Sequence, residues 1–215
     1  MSMVNLLQIS SIRSEVEKDM YDLIKQRIQD SIDTKTKIIE NVELQETISK
    51  LADAIIASIG NGGKLVLCGN GGSASDALHF AGEIVGRFQK ERNPWPAVVL
   101  NADVTTMTAI ANDYNYADVF ARQAQAHVNR GDVFVGISTS GNSENVYRAM
   151  SVSRKRGAKT AALLGKDGGK IGREADYPII VPSYTTARIQ ESHITIIHIL
   201  CEIVENALAQ DSTDE

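Results

Sequence analysis

Cysteine is nearly absent from this 215-residue chain: two occur, Cys68 and Cys201, each inside an apolar run (KLVLCGN and IIHILCEIV). That usage reads as two buried thiols in a reducing compartment and leaves neither a disulfide framework nor a cysteine-based metal site. Proline is also scarce, at 4 residues, and only 5% of the chain is aromatic against 43% hydrophobic overall, which excludes proline-rich disorder and collagen-like repeats while leaving material for one sizeable core. An excess of positive charge is missing too. With 22 basic against 27 acidic residues the formal net charge is −5, the wrong sign for tracking a nucleic-acid backbone or an anionic membrane face. Any anionic ligand must therefore be held locally, by placed groups. No stretch reaches the ~18 uncharged apolar residues of a membrane span, and the start, MSMVNLLQISSIRSEVEKDM, lacks the basic segment and apolar run of a signal peptide. A cytoplasmic protein without nucleic-acid or membrane partners is expected.

What is present is a strong periodic pattern. Val16, Met20, Leu23, Ile24, Ile28, Ile32 and Ile38 recur at helical spacing between charged residues, predicting an amphipathic helix, or a broken pair, from Ser14 to about Ile39. Its apolar stripe needs a partner. A second helix is predicted over Glu43–Ser58, closing at Gly60-Asn61-Gly62-Gly63. Strand-like runs then fall at Leu65–Cys68, Ala97–Leu100, Val133–Ile137, Thr160–Leu164 and Pro178–Val181. Helix-like segments fill most gaps, at Ser73–Phe88, Thr105–Asn112, Ala117–Val128, Ser143–Arg156 and Thr186–Leu208. The strands are continuously apolar, as in a parallel sheet covered on both faces. One α/β domain spanning residues 1–215 is expected, with N-terminal helices over about 11–60 and an α/β core over about 64–208. In such sheets ligands sit beyond the carboxyl ends of the strands, so the loops after Cys68, Leu100, Ile137 and Leu164 are where chemistry should be sought.

Two of those loops resemble phosphate-binding turns. The first, Gly69-Asn70-Gly71-Gly72-Ser73-Ala74-Ser75-Asp76, matches G-x-G-x-x-A between a strand and a helix, and a dinucleotide reading would enlist Asp103 for the ribose. The second, Ser138-Thr139-Ser140-Gly141-Asn142-Ser143-Glu144-Asn145, places four hydroxyls at a helix N-terminus, where free amides and the dipole favour an anion; the alternative is an ordinary capped turn. No G-x-x-x-x-G-K-[ST] occurs, so a sugar monophosphate fits better than a triphosphate.

Four histidines exist: His79, His127, His193 and His198. His79 and Glu83 share one helix face and suit a metal, a proton-transfer pair or a plain solvent contact, with Asp76 one turn earlier on roughly that face. In RIQESHITIIHIL, Gln190 and His198 fall on the same side of the last helix and His193 is turned away. His198, among isoleucines, is expected to be poorly solvated, either as a core histidine or as an acid/base of tuned pKa. His127 reads as a surface turn residue, and Asn112-Asp113 either contact a polyol or end a helix.

Taken in order, GNGGSASDALHFAGE, AIANDY, GISTSGNSENV, LLGKDGGK and ARIQESHITIIHIL resemble the sugar isomerase (SIS) domain family, and within it the sedoheptulose 7-phosphate (phosphoheptose) isomerases, over nearly the whole chain. The resemblance implies a three-layer α/β sandwich with a mainly five-stranded parallel sheet and an N-terminal helical extension. It further implies aldose–ketose isomerisation through an enediol, giving D-glycero-D-manno-heptose 7-phosphate for bacterial surface heptose such as that of lipopolysaccharide. Asn70, Gly71, Gly72, Ser73, Ser138, Thr139, Ser140 and Ser143 match the family's sugar-phosphate contacts, and Asn112 and Asp113 its contacts to the open-chain sugar. His79, Glu83, Gln190 and His198 match a set that holds one Zn2+ per subunit; Glu83 is the implied base, His198 the acid/base partner, and Glu83 and Gln190 also meet substrate. A homotetramer with shared active sites would supply the first helix's partner. Gly82 departs from the pattern, where a larger or acidic residue is expected. Stretches such as LNADVTTMTAIAND and RFQKERNPWPAV also resemble non-catalytic SIS proteins that bind the bacterial replication initiator or sense a sugar phosphate; such a scaffold has no need of Glu83 and His198.

Overall fold

The computed structural model describes residues 3–209, with side-chain surroundings from residue 18 onward, so residues 1–2 and 210–215, and the side chain of Val16 in the predicted stripe, lie outside the described set. Helix α1 (Met3–Glu40) runs unbroken through the Ser14–Ile39 stretch, the single-helix alternative, and helix α2 (Val42–Gly60) follows it. The break between the two is at Asn41, which leaves helical geometry and caps α2 by accepting from Leu44 N at 2.9 Å. Alternating elements follow: β1 (Leu65–Gly69), α3 (Gly72–Val85), β2 (Ala97–Val99), α4 (Val104–Asp113), a 3-10 turn (Tyr116–Asp118), α5 (Val119–His127) and β3 (Val133–Ser138). Then come α6 (Glu144–Lys155), β4 (Lys159–Leu164), α7 (Gly169–Glu174), β5 (Tyr177–Ile180) and α8 (Thr186–Leu208).

All five strands are parallel, in the order β2-β1-β3-β4-β5, with Leu65 in register with Ala97 on one side and Val133 on the other. Both faces are covered. Leu65 and Leu67 point to a core shared with α2, α3 and α8, through Leu51, Ile55, Phe80 and Leu200. Val66 and Cys68 point the other way, to Phe120, Val146 and Met150 of α5 and α6. Successive strand residues bury in opposite directions, which is why the sequence shows continuous apolar runs. The packing is specific to volume: Ile55 is fully buried, and truncating such a residue to alanine costs about 2–5 kcal/mol. Both cysteines are free and buried, and burial pushes the Cys68 thiol far above its ordinary range and that of Cys201 up to about 12.

Differences from the expected elements have local causes. The predicted Ser73–Phe88 helix stops at Val85, and an irregular stretch carrying Pro94 and Pro96 leads to β2. Helix α7 was not anticipated, being six residues long with two glycines in GKIGRE. Met20, Ile24, Ile28 and Ile32 form an exposed apolar stripe on α1, each more than half exposed. Among the described residues no helix is long and apolar enough to cross a membrane.

The sheet order decides where a site can form. β1 and β3 are neighbours although β2 separates them in sequence, so the chain reverses direction across the sheet at this pair. The loops after β1 and β3 therefore flank one crevice at the carboxyl edge.

Candidate active site

The two predicted turns meet in that crevice. Asn70 and Asn145 exchange amide hydrogen bonds, Asn70 Nδ2 to Asn145 Oδ1 at 3.0 Å and Asn145 Nδ2 to Asn70 Oδ1 at 2.9 Å, and the Tyr116 hydroxyl donates to the same Asn70 oxygen at 3.0 Å. Asn70 is thus a tie between loops, with little amide capacity left over. Asn145, buried at 4% exposure, and Tyr116 carry this tie and were not singled out from sequence; complementary amides on two loops leave no local pattern. In the second loop Ser138 Oγ lies 2.9 Å from Ser143 Oγ and 3.5 Å from Ser140 Oγ, which also accepts from Asn142 N at 3.2 Å. Ser138 and Ser73 are buried, whereas Thr139, Ser140 and Ser143 are half-buried. Neither Gly71 nor Ser143, the residues preceding α3 and α6, caps its helix through a side chain, so the helix N-termini keep their pull on an anion.

Glycine matters at two points. At Gly141, with φ +67°, an added Cβ would fall 2.1 Å from Gly168 O; the close approach braces the second loop against α7, whose Ile171 N donates to Gly141 O at 3.0 Å. A Cβ at Gly72 would fall 2.2 Å from Gln190 Nε2, so Gln190 of α8 lies directly against the first turn of α3.

From that turn α3 carries His79 and Glu83 toward α8. Glu83 Oε1 lies 3.2 Å from His79 Nε2, and His79 Nε2 lies 3.0 Å from His198 Nε2. Ligand atoms of His79, Glu83 and His198 all lie within 4.8 Å of one another. Two imidazole nitrogens and a carboxylate at this spacing fit one tetrahedral Zn2+, for which Zn–N bonds near 2.1 Å place two nitrogens about 3.4 Å apart. Phe88 packs on His198 with ring centroids 5.7 Å apart. One turn before His79, Asp76 Oδ2 is buried without a hydrogen-bond partner, and burial holds this carboxyl up at about 6, with the His79 imidazole opposing.

Other expectations are redistributed. His198, expected to be poorly solvated, is only half-buried, because α8 turns it toward α3 and the crevice. The core histidine is His193: fully buried, it donates Nε2–H to Leu164 O at 3.0 Å, and burial lowers its pKa to about 4, with that hydrogen bond opposing. His127 is exposed at the end of α5. Asn112 and Asp113 are exposed at the end of α4, the Asn112 amide donating to Asp113 Oδ1 at 2.9 Å. Asp103, the ribose candidate of a dinucleotide reading, instead caps α4 by accepting from Thr106 N at 3.1 Å and from its hydroxyl.

A SIS domain family model matches residues 30–165. The chain belongs to the SIS domain family, in its phosphoheptose isomerase branch. A phosphoheptose isomerase from Geobacter sp. (strain M21) is 52% identical over 166 residues, covering 77% of this chain and 86% of that protein. Among solved structures, a phosphoheptose isomerase from Francisella tularensis superposes with a TM-score of 0.83 at 37% identity, covering 87% of this chain and 98% of the other. One from Neisseria gonorrhoeae gives 0.82 at 39% identity, covering 87% and 99%. The five-stranded parallel sheet and its flanking helices are the SIS fold, and the crevice between the β1 and β3 loops is where this branch member has gathered its polar groups.

Proposed function

We propose that this chain isomerises D-sedoheptulose 7-phosphate to D-glycero-D-manno-heptose 7-phosphate, the opening step of bacterial ADP- or GDP-heptose synthesis for surface glycans such as lipopolysaccharide core. The observation that carries the reading is the meeting of His79 and Glu83 with His198, from two different helices, next to the paired loops. A scaffold or sensor has no use for such a convergence.

The chemistry follows from the groups present. Helix N-termini and the hydroxyls of Thr139, Ser140 and Ser143 hold the phosphate without formal positive charge, with Gly71 and Gly72 allowing its close approach and Ser73 and Ser138 shaping the turns from beneath. Asn70 keeps the two loops in register, and Asn112, Asp113 and Gln190 meet the open-chain polyol. Glu83 turns Oε1 to His79 and uses its second oxygen as the base. It removes a proton from C1 of the ketose; the electron pair forms the C1–C2 double bond of the enediol, and the proton returns to C2. His198 moves the accompanying proton between the two oxygens. His79, Glu83, Gln190 and His198 would hold one Zn2+ per subunit, which when bound supplies a Lewis acid for the developing oxyanion.

The reading extends to assembly and place: a cytoplasmic homotetramer. Supporting the tetramer is the exposed stripe of Met20, Ile24, Ile28 and Ile32, an apolar face that one copy leaves uncovered. Purified, metal-replete protein incubated with sedoheptulose 7-phosphate is expected to form the aldose phosphate, and metal analysis before and after chelation should track the activity. Absence of product under those conditions rejects the reading.

A further inference from the structure

Behind the candidate acid/base pair lies a buried pair of opposite charges that the reaction itself does not use. Arg92 Nε lies 3.0 Å from Glu205 Oε1, with the side chains only 4% and 2% exposed. Arg92 sits in the irregular stretch after α3, whereas Glu205 lies on α8 seven residues beyond His198, two turns along and on the same side. Each partner is saturated with further contacts. Glu205 accepts from the backbone N–H groups of Phe88, Gln89 and Lys90 at 3.0, 2.7 and 2.9 Å. Burial alone would push its carboxyl up, but these donors and Arg92 together hold it below the usual range.

Arg92 reaches the other way. Its Nη2 donates to Glu83 O at 2.8 Å and its Nη1 to Ile84 O at 3.0 Å, so the guanidinium takes up carbonyls at the C-terminal end of α3, where the helix dipole favours a cation. The Trp95 ring covers it, 3.6 Å from the guanidinium carbon. Both acid/base residues are therefore reached from one clamp: Glu83 through its own carbonyl, and His198 through the ring of Phe88, whose amide Glu205 holds. A buried pair of this kind is a weak source of stability, because desolvation offsets the attraction, but it is strict about geometry.

We propose that Arg92 and Glu205 are positioning residues, a charge clamp across the α3–α8 seam that sets the distance between the Glu83 carboxylate and the His198 imidazole. The inference rests on the isomerase reading for its catalytic consequence, and its geometric part can be measured without substrate. Loosening the seam displaces the acid/base pair while leaving the phosphate loops, held by Asn70, Asn145 and Ser143, where they are. The expected signature is a fall in kcat at near-constant KM.

Glu205→Gln keeps the shape and leaves Arg92 without its countercharge. In protein shown to be folded by circular dichroism, kcat for sedoheptulose 7-phosphate should fall about 10-fold or more with KM within about twofold, the scale of lost outer-shell support. Zn2+ affinity, read by competition with a chromogenic chelator, should fall by a similar factor. A folded Glu205→Gln protein with parental kcat and Zn2+ affinity overturns the proposal, as does one whose loss lies entirely in KM. Should that variant not fold, Phe88→Leu decides: it removes the ring from His198 and leaves the ion pair and backbone bonds intact. Loss of kcat and of Zn2+ affinity there supports the clamp; parental values for both overturn it. If the unmodified protein turns over no substrate, the isomerase reading fails, while the Zn2+ titrations still report whether the clamp holds the cluster.

Discussion

The two seams that meet at the active-site crevice are fastened by opposite kinds of interaction. Between the loops after β1 and β3 the fastenings are neutral: the reciprocal Asn70–Asn145 amides and the Ser138–Ser143 hydroxyls. Between α3 and α8, behind the histidines, the fastening is a fully paired buried charge, Arg92 with Glu205. A surface proposed to receive a phosphate dianion benefits from donors that carry no counter-anion of their own, since any carboxylate there would repel the ligand. A seam proposed to hold a base and an imidazole at fixed separation benefits from the directionality of a guanidinium fork. The net charge of −5 thus reveals little about anion binding, because amides and hydroxyls do not enter the count.

Breaking the charged seam at its reactive end has the largest expected effect. Glu83→Gln removes the base and keeps the shape, so kcat should drop by about 1,000-fold or more with the fold unchanged; near-parental turnover would remove Glu83 from its assigned role. Introducing charge into the neutral seam tests the other half of the comparison. Asn145→Asp sets a carboxylate against Asn70 Oδ1 and near the phosphate, and steady-state kinetics should show KM raised about 10-fold with kcat changed far less.

His193 sharpens the contrast, as a titratable group on α8 that the fold keeps neutral. Its folded pKa near 4 lies below the 6.5 of an unperturbed histidine, so the unfolded chain binds more protons between those values. The stability this group contributes is complete above pH 6.5 and is lost as the pH falls toward 4. Urea unfolding at pH 7 and pH 5 should differ by on the order of 2 kcal/mol from this source, and His193→Gln should flatten that dependence. Least in size is Gly82→Ala. An added Cβ meets nothing within 4 Å, so the substitution should raise stability by about 0.5–1 kcal/mol without altering kcat, showing that the departure at this position is not a functional hinge.

Much of this arrangement was readable along the chain. The inner strands β1, β3 and β4 announce themselves because each buries both faces, and Gln190 and His198 share a side of α8 because helical spacing is arithmetic. What sequence cannot display is which side of a long helix faces which neighbour. His198 looks dry among isoleucines and is half-buried, while His193, which spacing only turns away from the Gln190–His198 side, is the core residue, because α8 packs His193 toward β4 and turns His198 to α3. The clamp is hidden for a stronger reason. Arg92 and Glu205 lie 113 positions apart, each resembling an ordinary surface charge until the fold removes its water. Helix α7 leaves no helical signature in the sequence because its glycine-rich turn is kept helical by contacts with the Gly141 loop more than by its own propensity.

Gly72 carries a consequence for how the molecule tolerates change. It is exposed to solvent, and exposed positions are usually where variation accumulates freely. Here the smallest possible side chain would collide with the Gln190 amide. The group it meets is the end of a long rotatable side chain, so the fold can absorb Gly72→Ala by turning Gln190 aside, and the cost falls on where that amide sits beside the crevice more than on stability.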